Sequence, residues 1–202
     1  TGAGKTTIVN LLMRFYDADQ GAVRIDGKDV RTMGLHDLRK RFGTVFQNDT
    51  IFEDTIMENI NMGRELSEEA VMEAVLYGRA SEFVEEKGGI SAQLDIKGAN
   101  LSGGQKQRIL IARALAAKPD ILILDDSSSA LDYKTDAALR KELREHFAET
   151  TCVIIAQRIS SIMNSDHIMV LEDGQMIGYG THQELMETCE IYREIGKSQM
   201  GI

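Results

Sequence analysis

"TGAGKTTIVNLLMRF" (residues 1–15) decides the fold class, because it joins a phosphate-binding loop to the start of a helix. The P-loop pattern is G-x-x-x-x-G-K-[ST], and Gly4, Lys5 and Thr6 match its end. In such loops, glycines let backbone N–H groups surround phosphate oxygens, and the lysine reaches the outer phosphates. The candidate phosphate-binding residues are Thr1, Gly2, Ala3, Gly4, Lys5, Thr6 and Thr7.

The residues after this loop predict an amphipathic helix. Ile8, Leu11, Leu12 and Phe15 have the spacing of one helical face. The loop therefore lies at a helix N-terminus, where the helix dipole favours an anion. The first glycine of the pattern would lie two residues before Thr1. We therefore expect the 202 residues to be part of a longer protein, cut inside this loop.

The length suits one domain, or one with a small appended lobe, and the composition suits a packed core and a soluble surface. The 202 residues are 43% hydrophobic, and 23 basic against 32 acidic side chains give a net charge of -9. This charge weighs against a nucleic-acid-binding protein. No apolar run reaches the roughly 18 residues of a membrane span. The two cysteines fit no metal-binding spacing, and Cys152, within "TTCVIIA", is expected to be a buried thiol suited to a reducing cytosol.

Short apolar segments alternate with helical patterns, which predicts an α/β fold with a parallel-sheet core. The segments 121–124 ("ILIL") and 152–156 ("CVIIA") are apolar throughout, as in strands buried on both faces. Residues from about 50 to 115 are predicted to form a helical subdomain within a single 1–202 domain. Hairpins are expected at residues 21–30 and 167–180, the second turning at Asp173-Gly174. Thr181 and Glu184 fit a helix capping box.

The segment "ILILDDSSSALD" (121–132) carries two adjacent carboxylates directly after a buried strand. In a P-loop protein this strand runs beside the phosphate loop, and Asp125 would hold Mg²⁺. Asp126 would lie where a base or water-orienting group belongs. A strand that merely ends in a polar loop is the alternative, and the upstream P-loop weighs against it.

The segment "LSGGQ" (101–105) predicts a second anion site on the same chain. Its hydroxyl group and unobstructed backbone N–H groups lie at the start of a helix predicted from about Gln105 to Ala117. One nucleotide cannot easily use two such sites on one domain, so we expect them to face each other across a dimer. The residues of this site are Leu101, Ser102, Gly103, Gly104 and Gln105.

Together these motifs resemble the nucleotide-binding domain of ATP-binding cassette (ABC) transporters, over nearly the whole chain. The resemblance implies ATP and Mg²⁺ as ligands, with Thr6, Gln47 and Asp125 at the metal. It also implies that Gln47 is the Q-loop glutamine. The D-loop would comprise Ser129, Ala130, Leu131 and Asp132.

"FYDADQGAVRIDG", "TIMENI" and "GTHQEL" resemble the exporter branch of that family. In exporters of this branch, a transmembrane domain and the ATPase share one chain. The resemblance thus implies a transmembrane domain upstream of Thr1 and a location at the cytoplasmic face of the plasma membrane.

Two positions depart from the family's pattern beside the reacting phosphate. Asp126 stands where the family has its catalytic glutamate, and a carboxylate about 1 Å short can cost about 100-fold in rate. Gln157 stands where the family has a histidine, and glutamine cannot carry its charge. The candidate catalytic residues are thus Asp126, Gln157 and Gln47.

These departures predict the degenerate half of a heterodimeric exporter. Its own site would hydrolyse ATP slowly, and its LSGGQ would complete the site of a different partner chain. An ordinary homodimer that tolerates both residues is one alternative, and a regulatory ATP-binding module with little turnover is another. An importer-type ATPase is an intermediate case. A DNA-repair or chromosome-structure ATPase is disfavoured, because too few residues separate Gln47 from Leu101 for a coiled coil.

Overall fold

The computed structural model of the protein describes residues 2–127 and 130–200, and helices and strands alternate along the chain. The helices are α1 (Lys5–Leu12), α2 (Leu35–Lys40), α3 (Ile56–Asn61), α4 (Glu68–Tyr77), α5 (Ser81–Glu86), α6 (Gly103–Ala116), α7 (Tyr133–His146), α8 (His182–Thr188) and α9 (Glu190–Met200). The strands are β1 (Arg24–Ile25), β2 (Lys28–Asp29), β3 (Phe42–Val45), β4 (Asp54–Thr55), β5 (Gln93–Leu94), β6 (Ile121–Asp125), β7 (Thr151–Ile155), β8 (Ile168–Glu172) and β9 (Gln175–Gly180).

The described chain divides into two compact units. Residues within Thr1–Leu35 and Ile154–Ile202 form the first unit, and residues within His36–Val153 form the second. Within the described residues, every helix is too short or too polar to cross a membrane.

A parallel pair of strands forms the core of the second unit, as the sequence predicted. β3 and β6 pair in parallel, with Val45 opposite Leu124. Helix α6 packs against β3. Gly43 permits this approach, because a Cβ atom there would lie 2.6 Å from the carbonyl oxygen of Ala114. The strand predicted at 121–124 is buried over most of its length, and that prediction is confirmed.

The prediction that residues 152–156 are buried on both faces is wrong. The segment is a strand, but β7 lies at the end of the sheet order β3-β6-β7. All its residues are exposed or half-buried, and Cys152 is exposed. An end strand has a neighbour on one side only in the described chain, so an apolar sequence did not suffice to bury it.

Helices α3 and α4 pack around α6 in the helical part of the second unit. Ile56, Ile60, Val75, Ile109 and Ile111 are fully buried there. Each such side chain contributes about 1.5–3 kcal/mol when it leaves water. The apolar centre of α6 thus fixes the helix that follows the LSGGQ segment.

The first unit contains the predicted hairpin and cap. β8 and β9 pair in antiparallel fashion, and Asp173 and Gly174 both have positive φ at the turn. Thr181 and Glu184 form the predicted capping box at the start of α8. Both predictions are confirmed, as is the antiparallel pairing of β1 with β2.

Helix α1 ends earlier than its apolar pattern predicted. Arg14 adopts a left-handed conformation with φ of 52°, and the N–H of Phe15 donates to the carbonyl of Asn10. This six-to-one bond closes the helix C-terminus. Phe15 therefore leaves the predicted face and is 45% exposed, and Val9 is the buried residue of α1.

Candidate functional site

The phosphate-binding loop is described from Gly2 onward, and Thr1 lies outside the described residues. Gly2 and Gly4 have φ of 94° and 95°, a region that side-chain-bearing residues rarely adopt. Helix α1 begins at Lys5, with the N–H of Ile8 donating to the carbonyl of Gly4. The N–H groups of the first turn have no intrahelical partner, so they are available to an anion.

The predicted side-chain groups of this loop stand at the start of α1. Thr6 and Thr7 are exposed, and Ala3 and Lys5 are half-buried. An exposed hydroxyl next to a lysine at a helix N-terminus suits a phosphate with its metal ion. The local geometry of the loop therefore fits the chemistry expected from its sequence.

The LSGGQ segment forms a capped helix start in the second unit. The N–H of Gln105 donates to Oγ of Ser102 over 3.2 Å, and the N–H of Ser102 donates to Oε1 of Gln105 over 2.9 Å. The two glycines occupy the first turn of α6, so the helix begins two residues before the predicted start. This reciprocal box fixes the backbone of the turn, and the two glycines add no side chain of their own to it.

The two glycines of LSGGQ also lie against the predicted D-loop. A Cβ atom on Gly104 would lie 3.2 Å from the carbonyl oxygen of Ala130, and one on Gly103 would lie 3.8 Å from Cβ of Ala130. Leu131 is buried beside them, whereas Ser129 lies outside the described residues. Sequence reasoning did not foresee this contact, since the two segments are far apart along the chain.

Asp132 ends the D-loop and begins α7. Its carboxylate accepts from the N–H of Thr135 over 2.9 Å and from Oγ1 of Thr135 over 2.7 Å. The hydrogen bond from the Thr135 hydroxyl, with that from its N–H, holds the pKa of Asp132 below its usual value. The carboxylate therefore serves as the N-cap of α7.

The adjacent carboxylates at the end of β6 have different surroundings. Asp125 is 9% exposed, and Asp126 is half-buried. Asp126 has φ of 51°, a left-handed conformation that costs about 1–3 kcal/mol for a residue with a side chain. Such strain often accompanies a functional role, and it turns the chain sharply after the strand. No sequence signal indicated this conformation.

Gln47 leaves the sheet beside Asp125. Because β3 and β6 are neighbouring parallel strands, the segments after Val45 and Leu124 emerge at the same edge of the sheet. A turn follows, in which the N–H of Phe46 donates to the Asp49 carboxylate over 2.8 Å. Gln47 is exposed within this turn. The structure thus brings Gln47, Asp125 and Asp126 to one edge of the second unit.

Arg113 is a residue of this region that sequence reasoning missed. From the last turn of α6, its Nε donates to the carbonyl of Asn59 over 2.7 Å and its Nη1 to the carbonyl of Thr50 over 3.0 Å. Its Nη2 also donates to Oδ1 of Asn59 over 3.1 Å. Burial lowers the pKa of this guanidinium, which nevertheless stays charged.

These bonds tie the segment after Gln47 to the helix that LSGGQ begins. Asn59 is 1% exposed, and its side chain also bonds both the N–H and the carbonyl of Phe52. A charged residue in the apolar run "ILIARALA" is the signal that could have revealed Arg113.

Gln157 lies in the first unit, after β7, and it is exposed. Its carbonyl accepts a hydrogen bond from the side chain of Gln199 over 2.7 Å. Gln157 and the phosphate-binding loop thus belong to one unit, whereas Gln47, both carboxylates and LSGGQ belong to the other.

Comparison with known proteins identifies relatives of this chain. A family model described as "ABC transporter" matches residues 1–129. The chain is 42% identical over 202 residues to the ATP-dependent lipid A-core flippase of Methylobacillus flagellatus, covering 98% of this chain and 35% of the relative. It is 43% identical over 203 residues to YfiB, an uncharacterized ABC transporter ATP-binding protein of Bacillus subtilis, again covering 35% of the relative.

A solved structure extends this likeness to three dimensions. A bacterial Atm1-family ABC exporter with ATP bound matches with a TM-score of 0.94 and 37% identity, over 98% of this chain and 35% of that chain. The chain therefore spans about a third of the length of the proteins it matches. The fold class and the family resemblance predicted from the sequence are both confirmed.

Proposed function

Because the chain belongs to the ABC transporter family, we propose that it is the ATP-binding and ATP-hydrolysing domain of an exporter. It works by nucleotide-driven dimerisation with a second nucleotide-binding domain. The observation that carries this proposal is the capped turn at Ser102, where two glycines form the first turn of α6. With the loop at Gly4, it gives one chain two anion sites, as a head-to-tail dimer requires.

The nucleotide is ATP with Mg²⁺. Its phosphates bind the residues of the loop, which are Thr1, Gly2, Ala3, Gly4, Lys5, Thr6 and Thr7. Thr6, Gln47 and Asp125 hold the metal. These residues fit the ion, since magnesium prefers oxygen ligands and the buried carboxylate of Asp125 favours a nearby cation. When bound, Mg²⁺ neutralises charge on the phosphate oxygens.

The chain's own ATP site turns over slowly. Asp126 has a shorter reach than glutamate, and its left-handed backbone turns the chain away from the line of β6. Gln157 can hydrogen-bond a phosphate oxygen, but it cannot become cationic. These residues therefore hold the nucleotide better than they hydrolyse it.

The chain's LSGGQ completes the site of a different partner chain. Ser102 and the glycines present their amides to the partner's ATP, and the adjacent D-loop from Ala130 to Asp132 couples the two sites. The contact between Gly104 and Ala130 supports this coupling, because a shift of either segment must displace the other.

The same protein carries a transmembrane domain that precedes these residues, and the ATP-binding domain lies at the cytoplasmic face of the plasma membrane. The relatives support this, since the chain covers 35% of their length and they are named as a flippase and an exporter. Gln47 faces that domain. The alternative function is a regulatory ATP-binding module with little turnover.

ATP turnover in membranes that contain the intact transporter tests this proposal. Ser102→Arg should lower turnover at least tenfold, because it blocks the partner's site, whereas Asp126→Asn should change it less than twofold. Ser67→Arg is the matched control for the first variant, since Ser67 also caps a helix through its hydroxyl. Asp173→Asn is the control for the second, since Asp173 also has positive φ.

The outcomes separate the alternatives. Loss of turnover in Asp126→Asn would refute the degenerate site and favour a homodimer. Turnover that both variants leave unchanged, from a low starting value, would favour the regulatory module.

A further inference from the structure

The side chain of Gln199 bridges the backbone around Gln157. Its Nε2 donates to the carbonyl of Gln157 over 2.7 Å, and its Oε1 accepts from the N–H of Ile159 over 2.8 Å. One amide group therefore bonds the chain on both sides of Arg158. We call this pair of bonds the Gln199 clamp.

The helix that carries the clamp is itself firmly anchored. Tyr192 of α9 is 3% exposed, and its hydroxyl lies 2.9 Å from Nδ1 of His182 in α8. Nη1 of Arg193 donates to the carbonyls of Met186 and Glu187 over 3.3 and 3.2 Å. These contacts hold helix α9 in place, and α9 in turn positions the side chain of Gln199.

The clamped segment is fixed from a second direction as well. Ile159 is 3% exposed and packs in one core cluster with Ile168, Leu185 and Tyr192. Its side chain and its N–H are therefore both held. The clamp thus joins the carbonyl of Gln157 to a segment that packing already fixes.

We propose that Gln199 is a positioning residue that holds Gln157 in place for the terminal phosphate of ATP. This inference rests on the proposed function of Gln157. A glutamine side chain has several rotatable bonds, so it can meet a phosphate oxygen reliably only if its backbone is fixed. Helix α9 thereby affects how well the chain's own site distinguishes ATP from ADP.

Two variants of Gln199 separate the two bonds of the clamp. Gln199→Met keeps the size of the side chain and removes both bonds. Gln199→Glu keeps the acceptor for the N–H of Ile159 and removes the donor to Gln157. Glu194→Gln, on an exposed position of the same helix, is the control.

Hydrogen exchange of the Ile159 amide in the intact transporter measures the clamp directly. Gln199→Met should accelerate this exchange about tenfold, since a buried donor loses its partner. Gln199→Glu and Glu194→Gln should change it less than twofold. Unchanged exchange in Gln199→Met would overturn the proposal.

Photolabelling with azido-ATP and azido-ADP, scored on this chain alone, measures the functional consequence. Gln199→Met and Gln199→Glu should each weaken ATP labelling about five- to tenfold and leave ADP labelling within about twofold, because ADP lacks the terminal phosphate. An equal loss of both nucleotides would indicate a purely structural role and would overturn the proposal.

The variant Gln157→Ala distinguishes failure of this inference from failure of the proposed function. It should reduce ATP labelling as much as Gln199→Met, with no further loss in the double variant. If Gln157→Ala leaves the preference for ATP intact, the proposed role of Gln157 is wrong. Exchange at Ile159 would then still decide whether the clamp exists.

Discussion

Arg113→Lys should lower the free energy of unfolding by about 2–5 kcal/mol although it preserves the charge. Arg113 makes three hydrogen bonds from three nitrogen atoms, two of them to Asn59 and one to Thr50. A lysine ammonium is a single centre on a narrower stem, so it can replace about one of these bonds.

The magnitude follows from the exposure of the acceptors. Asn59 is 1% exposed, so an acceptor left there without a donor costs about 1–3 kcal/mol. Thr50 is exposed, and water can replace its lost donor at a cost of about 0.5–1 kcal/mol. The contact of the guanidinium with the Phe52 ring, 5.6 Å from its centroid, adds about 0.5–1 kcal/mol.

Urea denaturation followed by far-ultraviolet circular dichroism measures the effect. Arg144→Lys is the matched control, because Arg144 is exposed on α7, and it should stay within about 0.5 kcal/mol of the parent. Hydrogen exchange should also accelerate at Phe52, whose N–H donates to the Asn59 side chain that Arg113 holds. If Arg113→Lys lowers the free energy of unfolding by less than about 1 kcal/mol, the reasoning is refuted.

Two further predictions concern packing and charge. Gly43→Ala should destabilise the fold by about 1–3 kcal/mol in thermal denaturation. The reason is that its Cβ atom would lie 2.6 Å from the carbonyl oxygen of Ala114. A change below about 0.5 kcal/mol would contradict this packing. The carboxyl of Asp29 should titrate near pH 2 by nuclear magnetic resonance, because side-chain hydrogen bonds from Arg31 lower its pKa from 3.8 to about 2. Stability from this pair is present above about pH 4 and is lost as the pH falls through 2. Arg31→Gln should raise the midpoint towards about 4 by removing the guanidinium bonds, while the backbone N–H of residue 31 still donates to Asp29.

Features that depend on neighbours in sequence were predictable. The capping box of Thr181 and Glu184 and the turn at Asp173-Gly174 each involve residues at most three positions apart. Their geometry depends on short-range hydrogen bonding and on φ preferences, which residue type alone expresses. The family resemblance rests likewise on short motifs, and the comparisons confirm it.

Features that depend on packing were not predictable. The apolar pattern of β7 matched a central strand, yet the strand's place at the end of the sheet order exposes Cys152. Sheet order depends on how whole elements pack, and the hydrophobic pattern of one segment does not indicate which strands lie beside it. Phe15 left its predicted face for a related reason, because a single left-handed residue, Arg14, ended the helix first.

The sequence by itself thus determined the fold class, the family and the identity of the candidate phosphate, metal and catalytic residues. The tertiary structure alone decided which long-range hydrogen bonds fix the segments around them. Arg113 reaches Asn59 across 54 positions of sequence, and Gln199 reaches Ile159 across 40. A hydrogen bond between distant residues forms only when folding has brought their helices and loops together, so no local sequence pattern predicts it.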